Sequence, residues 1–137
     1  MCIAATAVAV AAAAPEPDTK YTGSTSQGFK TSIRTNAAGN GLNAFTIRRR
    51  FSCGGNQTVV GTFRQAGGAM AIREGGRFYA HATLDRGGAI RRGVFTIRGR
   101  FGPGGKTARG TYRERVKVDS GARCDTGTIR FRISSGD

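Results

Sequence analysis

An all-β, antiparallel domain is predicted by three features of the sequence. Stretch after stretch alternates apolar and polar side chains, as in Ile129-Arg130-Phe131-Arg132-Ile133 and Phe95-Thr96-Ile97-Arg98-Gly99-Arg100-Phe101. A period of two is the pattern of a strand with one buried face. Glycine makes up 22 of 137 residues, far above its roughly 7% average and without collagen periodicity, which suits a chain of many turns. No stretch places apolar residues at helical or heptad spacing. Strands recur roughly every 10–14 residues, about eight in all, the spacing of a single β-sandwich or small closed barrel; the sandwich is the preferred form. The length suffices for one domain with a real core.

In chain order, residues 1–14 are apolar and uncharged. They are too short for a bilayer span, which needs roughly 20 residues, and read as the apolar region of a secretory signal peptide. No Lys or Arg precedes the run, and Pro15 follows it closely. Residues 15–19 carry two prolines and read as an extended linker. Residues 20–134 form the predicted domain. Its first strand lies near 20–23, and the polar turn 24–28 ends in Gly28, free to take positive φ. The second strand places Phe29, Thr31 and Ile33 inward. Asn40-Gly41 signals a hairpin. The third strand carries Phe45, Ile47, Phe51 and Cys53 on one parity, with Arg48 and Arg50 opposite. Arg49 breaks the pattern by falling on the apolar side.

Strands at 58–64, 70–72, 77–84, 94–101 and 108–118 follow, with a loop at 65–69 and turns at 54–57, 74–76, 85–88, 102–107 and 119–123. In the strand at 108–118, Glu114 falls on the apolar parity. Arg49 can snorkel at an edge, sit at a bulge or pair with a carboxylate, and Glu114 is the candidate partner for such a pair. The closing segment joins Cys124, a turn at Gly127 and the last strand.

Cys2 lies within the apolar leader and leaves with it, so Cys53 and Cys124 remain. In an exported chain this pair predicts a disulfide, closing a loop of about 70 residues worth roughly 4 kcal/mol in the chain-entropy model.

The net charge is +14, from 22 basic and 8 acidic residues, and 18 of the basic residues are Arg. Two readings account for it. One is a surface for polyanions, acting through the summed field and counterion release. The other is the codon composition of a GC-rich genome, since the arginines are spread over many strands. Pairing of the last two strands would put Arg113, Arg115, Lys117, Arg130 and Arg132 on one face, with Arg48, Arg50, Arg98 and Arg100 extending it. Arginine forks bind phosphate, sulfate and carboxylate bidentately. Few aromatics accompany them on outward parity, Tyr79 being one, and Trp is absent; a stacking platform for single-stranded nucleic acid or sugar would carry more.

Other chemistry is poorly supported. Gly105-Lys106-Thr107 matches only the end of a phosphate-binding loop, with Arg100 where the motif needs glycine and a strand instead of a helix following. His81 is the only histidine, too few for a zinc site of several ligands, and it sits on the polar parity. Glycoside hydrolysis needs two carboxylates, and the candidates are Glu74, Asp85, Glu114, Asp119 and Asp125, three of them in turns.

The ordered set Tyr21-x-Gly23-x-Thr25-Ser26-Gln27-Gly28, Cys53, Gly75-Gly76-Arg77-Phe78, Gly110-Thr111 and Cys124-Asp125-Thr126-Gly127-Thr128-x-Arg130-Phe131 resembles a group of small secreted β-proteins of GC-rich actinobacteria, over about residues 21–133. The resemblance implies export, a sandwich-like domain and a two-cysteine plan. It brings no activity or catalytic residue.

The expectation is therefore a secreted or envelope-associated, non-catalytic binding or structural module without cofactor or metal, contacting an anionic polymer of the cell envelope through arginines. No specific nucleic acid and no transmembrane segment are expected. The alternatives are a carbohydrate- or protein-interaction module using its loops, with incidental charge, and a small hydrolase using Asp85 or Glu114.

Overall fold

The structure, a computed structural model, describes residues 14–84 and 90–136, without the side chains of residues 66–69, 84, 90 and 91. Residues 1–13 of the predicted leader and the turn at 85–88, with Asp85, lie outside the described residues. Nine strands are described: β1 Lys20–Thr25, β2 Lys30–Thr35, β3 Gly41–Cys53, β4 Gln57–Ala71, β5 Arg77–Leu84, β6 Ile90–Phe101, β7 Thr107–Val118, β8 Arg123–Asp125 and β9 Ile129–Ser134. Among the described residues, helix is confined to three single 3₁₀ turns, Gly54–Asn56, Glu74–Gly76 and Pro103–Gly105, and no helix is long and apolar enough to cross a membrane. In each of these turns the middle glycine holds positive φ, at 75°, 80° and 81°. That region costs glycine nothing and other residues dearly, so one glycine device ends three hairpins.

The sheet is antiparallel throughout. Its strand order is β4-β3-β2-β1-β9-β7-β6-β5, and β8 pairs with both β3 and β7. The strands β3, β2, β1, β9, β7 and β8 thus close a six-strand barrel, with β4 outside β3, and β6 and β5 outside β7. The fold class is the expected one, and of the two expected arrangements the closed barrel is present. Just past the end of β4, Ile72 bridges to Phe78 of β5, and Arg73 N–H donates to the Arg77 carbonyl at 2.7 Å.

The inward parity of nearly every strand builds the main core, and Phe51, Val116 and Cys124 form a smaller buried cluster beside it. Tyr21, Ile33, Phe45, Ile47, Phe78, Phe95, Ile97, Phe101, Tyr112, Ile129, Phe131 and Ile133 are all buried. Phe45 and Phe63 of β3 and β4 meet Tyr112 and Phe95 of β7 and β6, with ring centroids 5.1–6.3 Å apart, the range of favourable aromatic pairs.

Two glycines let the sheet bend. Phe78, Gly99, Gly110 and Phe131 lie side by side on β5, β6, β7 and β9. A Cβ on Gly99 would come within 2.2 Å of the Phe78 ring, and one on Gly110 within 2.2 Å of the Arg98 carbonyl oxygen and 2.7 Å of the Phe131 ring. The rings cover the bare backbone, and glycine lets neighbouring strands coil tightly there.

Three devices close the ring at β8. The Cys53–Cys124 disulfide is present, between directly opposed residues of β3 and β8 with Cα atoms 4.2 Å apart. Thr126 N–H donates to the Glu114 carbonyl, and Glu114 N–H to the Thr126 hydroxyl, both at 3.0 Å. Gln27 bridges where β1 and β2 end. Its Oε1 accepts from Arg50 N–H at 2.8 Å, while its Nε2 donates to the carbonyls of Arg50 at 2.9 Å and Thr126 at 3.3 Å. The side-chain amide thereby stands in for a missing rung of peptide.

Several boundaries depart from the sequence reading. Residues 65–69, expected as a loop, continue β4, because Gln65 and Ala66 stay paired with Phe45 and Ala44 before a register shift near Leu42. The turn before β3 uses positive φ at Gly39, with Gly39 N–H donating to the Asn36 carbonyl, and Gly41 belongs to the strand. Residues 15–19, expected as a linker, pack on the barrel end. Pro15 is buried, Thr35 Oγ1 donates to the Glu16 carbonyl at 2.6 Å, and Glu16 N–H donates to the Tyr21 hydroxyl at 2.9 Å.

The expected pair is formed inside the core. Arg49 Nε donates to Glu114 Oε1 at 2.8 Å, and Nη2 donates to Oε2 at 3.0 Å. Tyr112 adds its hydroxyl to Oε1. Burial, then the Glu114 charge, pushes that hydroxyl well above the ordinary phenol range, so it remains a donor. The Arg49 guanidinium lies over the rings of Phe51 and Phe63, 4.8 and 5.9 Å from their centroids. Arg49 is 5% exposed and Glu114 0%.

Gly99→Ala and Gly110→Ala each lower stability by about 1–3 kcal/mol, the overpacking range, measured as a lower urea midpoint at unchanged slope. Glu114→Gln or Arg49→Met alone costs about 3–5 kcal/mol by stranding a buried charge, whereas Arg49→Met with Glu114→Leu recovers most of the loss; a double-mutant cycle in urea measures the difference.

Candidate polyanion face

The outer face follows from strand register. Each inward residue has an outward neighbour, and pairing lines those neighbours up across the sheet. Arg77 on β5 opposes Arg100 on β6, Arg100 opposes Arg109 on β7, and Arg109 opposes Arg132 on β9. Ser24 on β1 lies beyond Arg132, and Lys30 on β2 beyond Ser24. All six side chains are exposed. With strands about 4.8 Å apart, this is a row of four adjacent guanidinium groups followed by a hydroxyl and an ammonium.

A second row runs Tyr79, Arg98, Thr111 and Arg130. The Arg98 guanidinium stands over the Tyr79 ring, 5.5 Å from its centroid, so one face of this exposed aromatic is already covered. The row on the other side is of hydroxyls: Thr107, Ser134, Thr22, Ser32 and Thr46 on β7, β9, β1, β2 and β3.

The expected site residues divide. Arg100 and Arg132 fall in the first row and Arg98 and Arg130 in the second. Arg113 is already paired: its Nη2 lies 2.8 Å from Asp125 Oδ2. Arg115 opposes Asp125 in register, and Lys117 lies between Arg92 and Arg123 at the β8 end. Arg48 and Arg50 fall in neither row and stand over the Phe29 ring, their guanidinium carbons 5.4 and 5.0 Å from its centroid. Phe29 therefore belongs to the outer face, not the core as expected. It precedes β2, where the turn reverses the chain before alternation begins.

Arg77, Arg109 and Lys30 were missed as site residues. Arg109 shares the outward parity of Arg113 and Arg115, and Arg77 that of Tyr79, so alternation could have found them; only register puts them in one row. An open groove of about 980 Å³ lies along the cation and hydroxyl rows, lined among others by Arg100, Arg109, Arg132, Thr22, Thr107 and Ser134. Glu74 lines it too and forms no salt bridge among the described residues.

Of the hydrolase candidates, Glu114 is fully buried and Asp125 is held by Arg113 and by Gly127 N–H, which donates to Oδ1 at 2.7 Å. His81 is exposed, with Nδ1 2.8 Å from the Thr96 hydroxyl. No group of three His, Cys, Asp or Glu side chains converges among the described residues.

The hydrogen bond from Arg113 holds the Asp125 carboxyl below the ordinary carboxylate range; burial opposes this, while Gly127 N–H and the Arg115 charge add to it. A depressed folded pKa gives stability that is full above the unfolded pKa and is lost as pH falls through the folded one. Asp125→Asn therefore costs about 1 kcal/mol or less at neutral pH, the surface-pair range, and the difference from the parent vanishes in acid. Urea unfolding of both proteins between neutral pH and pH ~2 measures this.

No protein-family model, curated protein or solved structure matches this chain.

Proposed function

We propose that the protein is an exported, non-catalytic binding module whose arginine-covered outer face contacts an anionic polymer of the cell envelope. The observation that carries this reading is the row Arg77–Arg100–Arg109–Arg132, four like charges in direct cross-strand register. Each guanidinium offers a fork of donors suited to carboxylate, sulfate or phosphate. Their shared position on one face lets a single chain lie across all four. The disulfide agrees with an oxidising compartment.

A second reading, a protein- or carbohydrate-interaction module with incidental charge, draws support from β4. Its outer edge has no partner along residues 57–65 among the described residues, and Val59 and Val60 are 49% and 41% exposed. Such an edge can accept an added strand.

Salt separates the readings. Binding of the purified domain to an acidic polymer is titrated at two salt concentrations, for the parent, for Arg77→Gln/Arg100→Gln/Arg109→Gln/Arg132→Gln, and for a charge-matched control with Arg92, Arg123, Lys117 and Lys20 neutralised. The expected result is a steep salt dependence in the parent and a log–log slope smaller by roughly three in the row variant, the release from four contacts, with a smaller change in the control. Equal losses in both variants would reduce the face to net charge, and no binding at low salt would leave the second reading.

A further inference from the structure

We infer that the polymer is an acidic polysaccharide, its charged substituents on the arginine row and its hydroxyl groups on the row beside it. This rests on the polyanion reading above and adds the chemistry of the ligand. The two rows run parallel, with Arg109, Arg132 and Ser24 each two residues from Thr107, Ser134 and Thr22 on the same strand. At about 3.4 Å per residue they are roughly 7 Å apart, and successive members lie about 4.8 Å apart across the strands. A ligand along the groove therefore meets charge on one side and hydroxyls on the other at β7 and β9, with Arg100 and the Ser24 and Thr22 hydroxyls extending the two sides.

The chemistry of the second row selects among anions. Arginine only donates, whereas a Ser or Thr hydroxyl both donates and accepts. A polyphosphate chain offers acceptors alone and uses only the donor half of each hydroxyl. A sugar ring carries hydroxyls that donate and accept, and matches both rows. Nucleic acid would gain from stacking, but the groove lining contains no exposed aromatic side chain, and Tyr79 lies a row away beneath Arg98. The groove's volume of about 980 Å³ is at the upper end of the roughly 300–1,000 Å³ of ligand clefts. Glu74, at one end, repels a chain carrying negative charge there, so its neutralisation strengthens binding.

The test uses the purified domain with a polyuronate, a sulfated polysaccharide, a neutral polysaccharide, inorganic polyphosphate and a single-stranded oligonucleotide. Three proteins are compared: the parent, the hydroxyl-row variant Thr22→Val/Thr107→Val/Ser134→Ala, and the arginine-row variant above. Thermal melts establish that each is folded. The expected result is tighter binding of the acidic polysaccharides than of polyphosphate or oligonucleotide at raised salt. The hydroxyl-row variant loses about tenfold for acidic polysaccharide, the effect of several neutral hydrogen bonds, and a smaller factor for polyphosphate, which uses only the hydroxyls' donors. Glu74→Gln tightens both. If the hydroxyl-row variant binds every polymer like the parent, or polyphosphate or oligonucleotide binds best, the polysaccharide inference fails while the polyanion face stands. If the arginine-row variant binds like the parent, or the neutral polysaccharide binds best, both fail.

Discussion

The buried contact between Arg49 and Glu114 constrains most of what surrounds it. A carboxylate and a guanidinium taken out of water are tolerable only when geometry and the remaining hydrogen bonds are good. Here both guanidinium contacts are short, the Tyr112 hydroxyl takes a further lone pair, and the rings of Phe51 and Phe63 cover the cation. The two strands that bring them together, β3 and β7, are also the two that β8 joins. Sliding either strand by one residue would turn its whole apolar set outward and separate the pair. Core packing and ion pairing therefore favour the same register, the consistency between local and global preferences expected of a well-specified fold.

Closure at β8 depends on the same neighbourhood. β8 is only three residues long, too short to hold its place by ladder bonds alone. The disulfide fixes it to β3, the Thr126–Glu114 bonds fix the following turn to β7, and Gln27 spans the gap left where β1 and β2 turn back. The Thr25-Ser26-Gln27-Gly28 segment supplies further joints. Thr25 Oγ1 accepts from the N–H groups of Gln27 and Phe29, Ser26 Oγ accepts from Arg130 N–H, and Gly28 holds φ of 83°. A polar turn thus seals one end of the barrel, while residues 14–19 pack against Tyr21 and Gly105 at another: the Tyr21 hydroxyl donates to the Gly105 carbonyl, and a Cβ at Gly105 would meet Ala14.

Alternation made most strands legible, and its violations were as informative as its observance. Arg49 and Glu114 stood out because they sat where apolar side chains belonged, and each was the other's only inward opposite charge among the strands read. What alternation could not convey was register between strands distant in sequence. Arg77, Arg100, Arg109 and Arg132 come from four strands spread over 56 positions of chain, and nothing local announces that they will stand in line. Phe29 misled for a related reason: parity carried back from Thr31 and Ile33 puts it inward, but the turn at Gly28 resets the direction. The continuation of β4 through residues 65–69 was hidden because Gly67 and Gly68 read as a loop, whereas β3 pairs with Ala66 before them and Met70 after them, across a register shift.

Register also bears on whether the charge is merely compositional. A genome rich in arginine codons supplies arginines, and any barrel must put them outside. Composition does not require them to face one another. Like charges directly opposed across strands are unfavourable by a few tenths to about 1 kcal/mol, and a single acidic residue in the row would relieve the cost. Some arginines outside the row are relieved in this way: Asp125 lies opposite Arg115 and bonded to Arg113, and Asp18 pairs with Arg34, whereas Arg92, Lys117 and Arg123 make a shorter row of like charges. The row from Arg77 to Arg132 contains no acidic residue. A solvated face under no other demand would gain by interleaving; an anion lying along the row would remove the repulsion between neighbours and be held by it, so the cost in the free protein becomes part of the attraction in the complex.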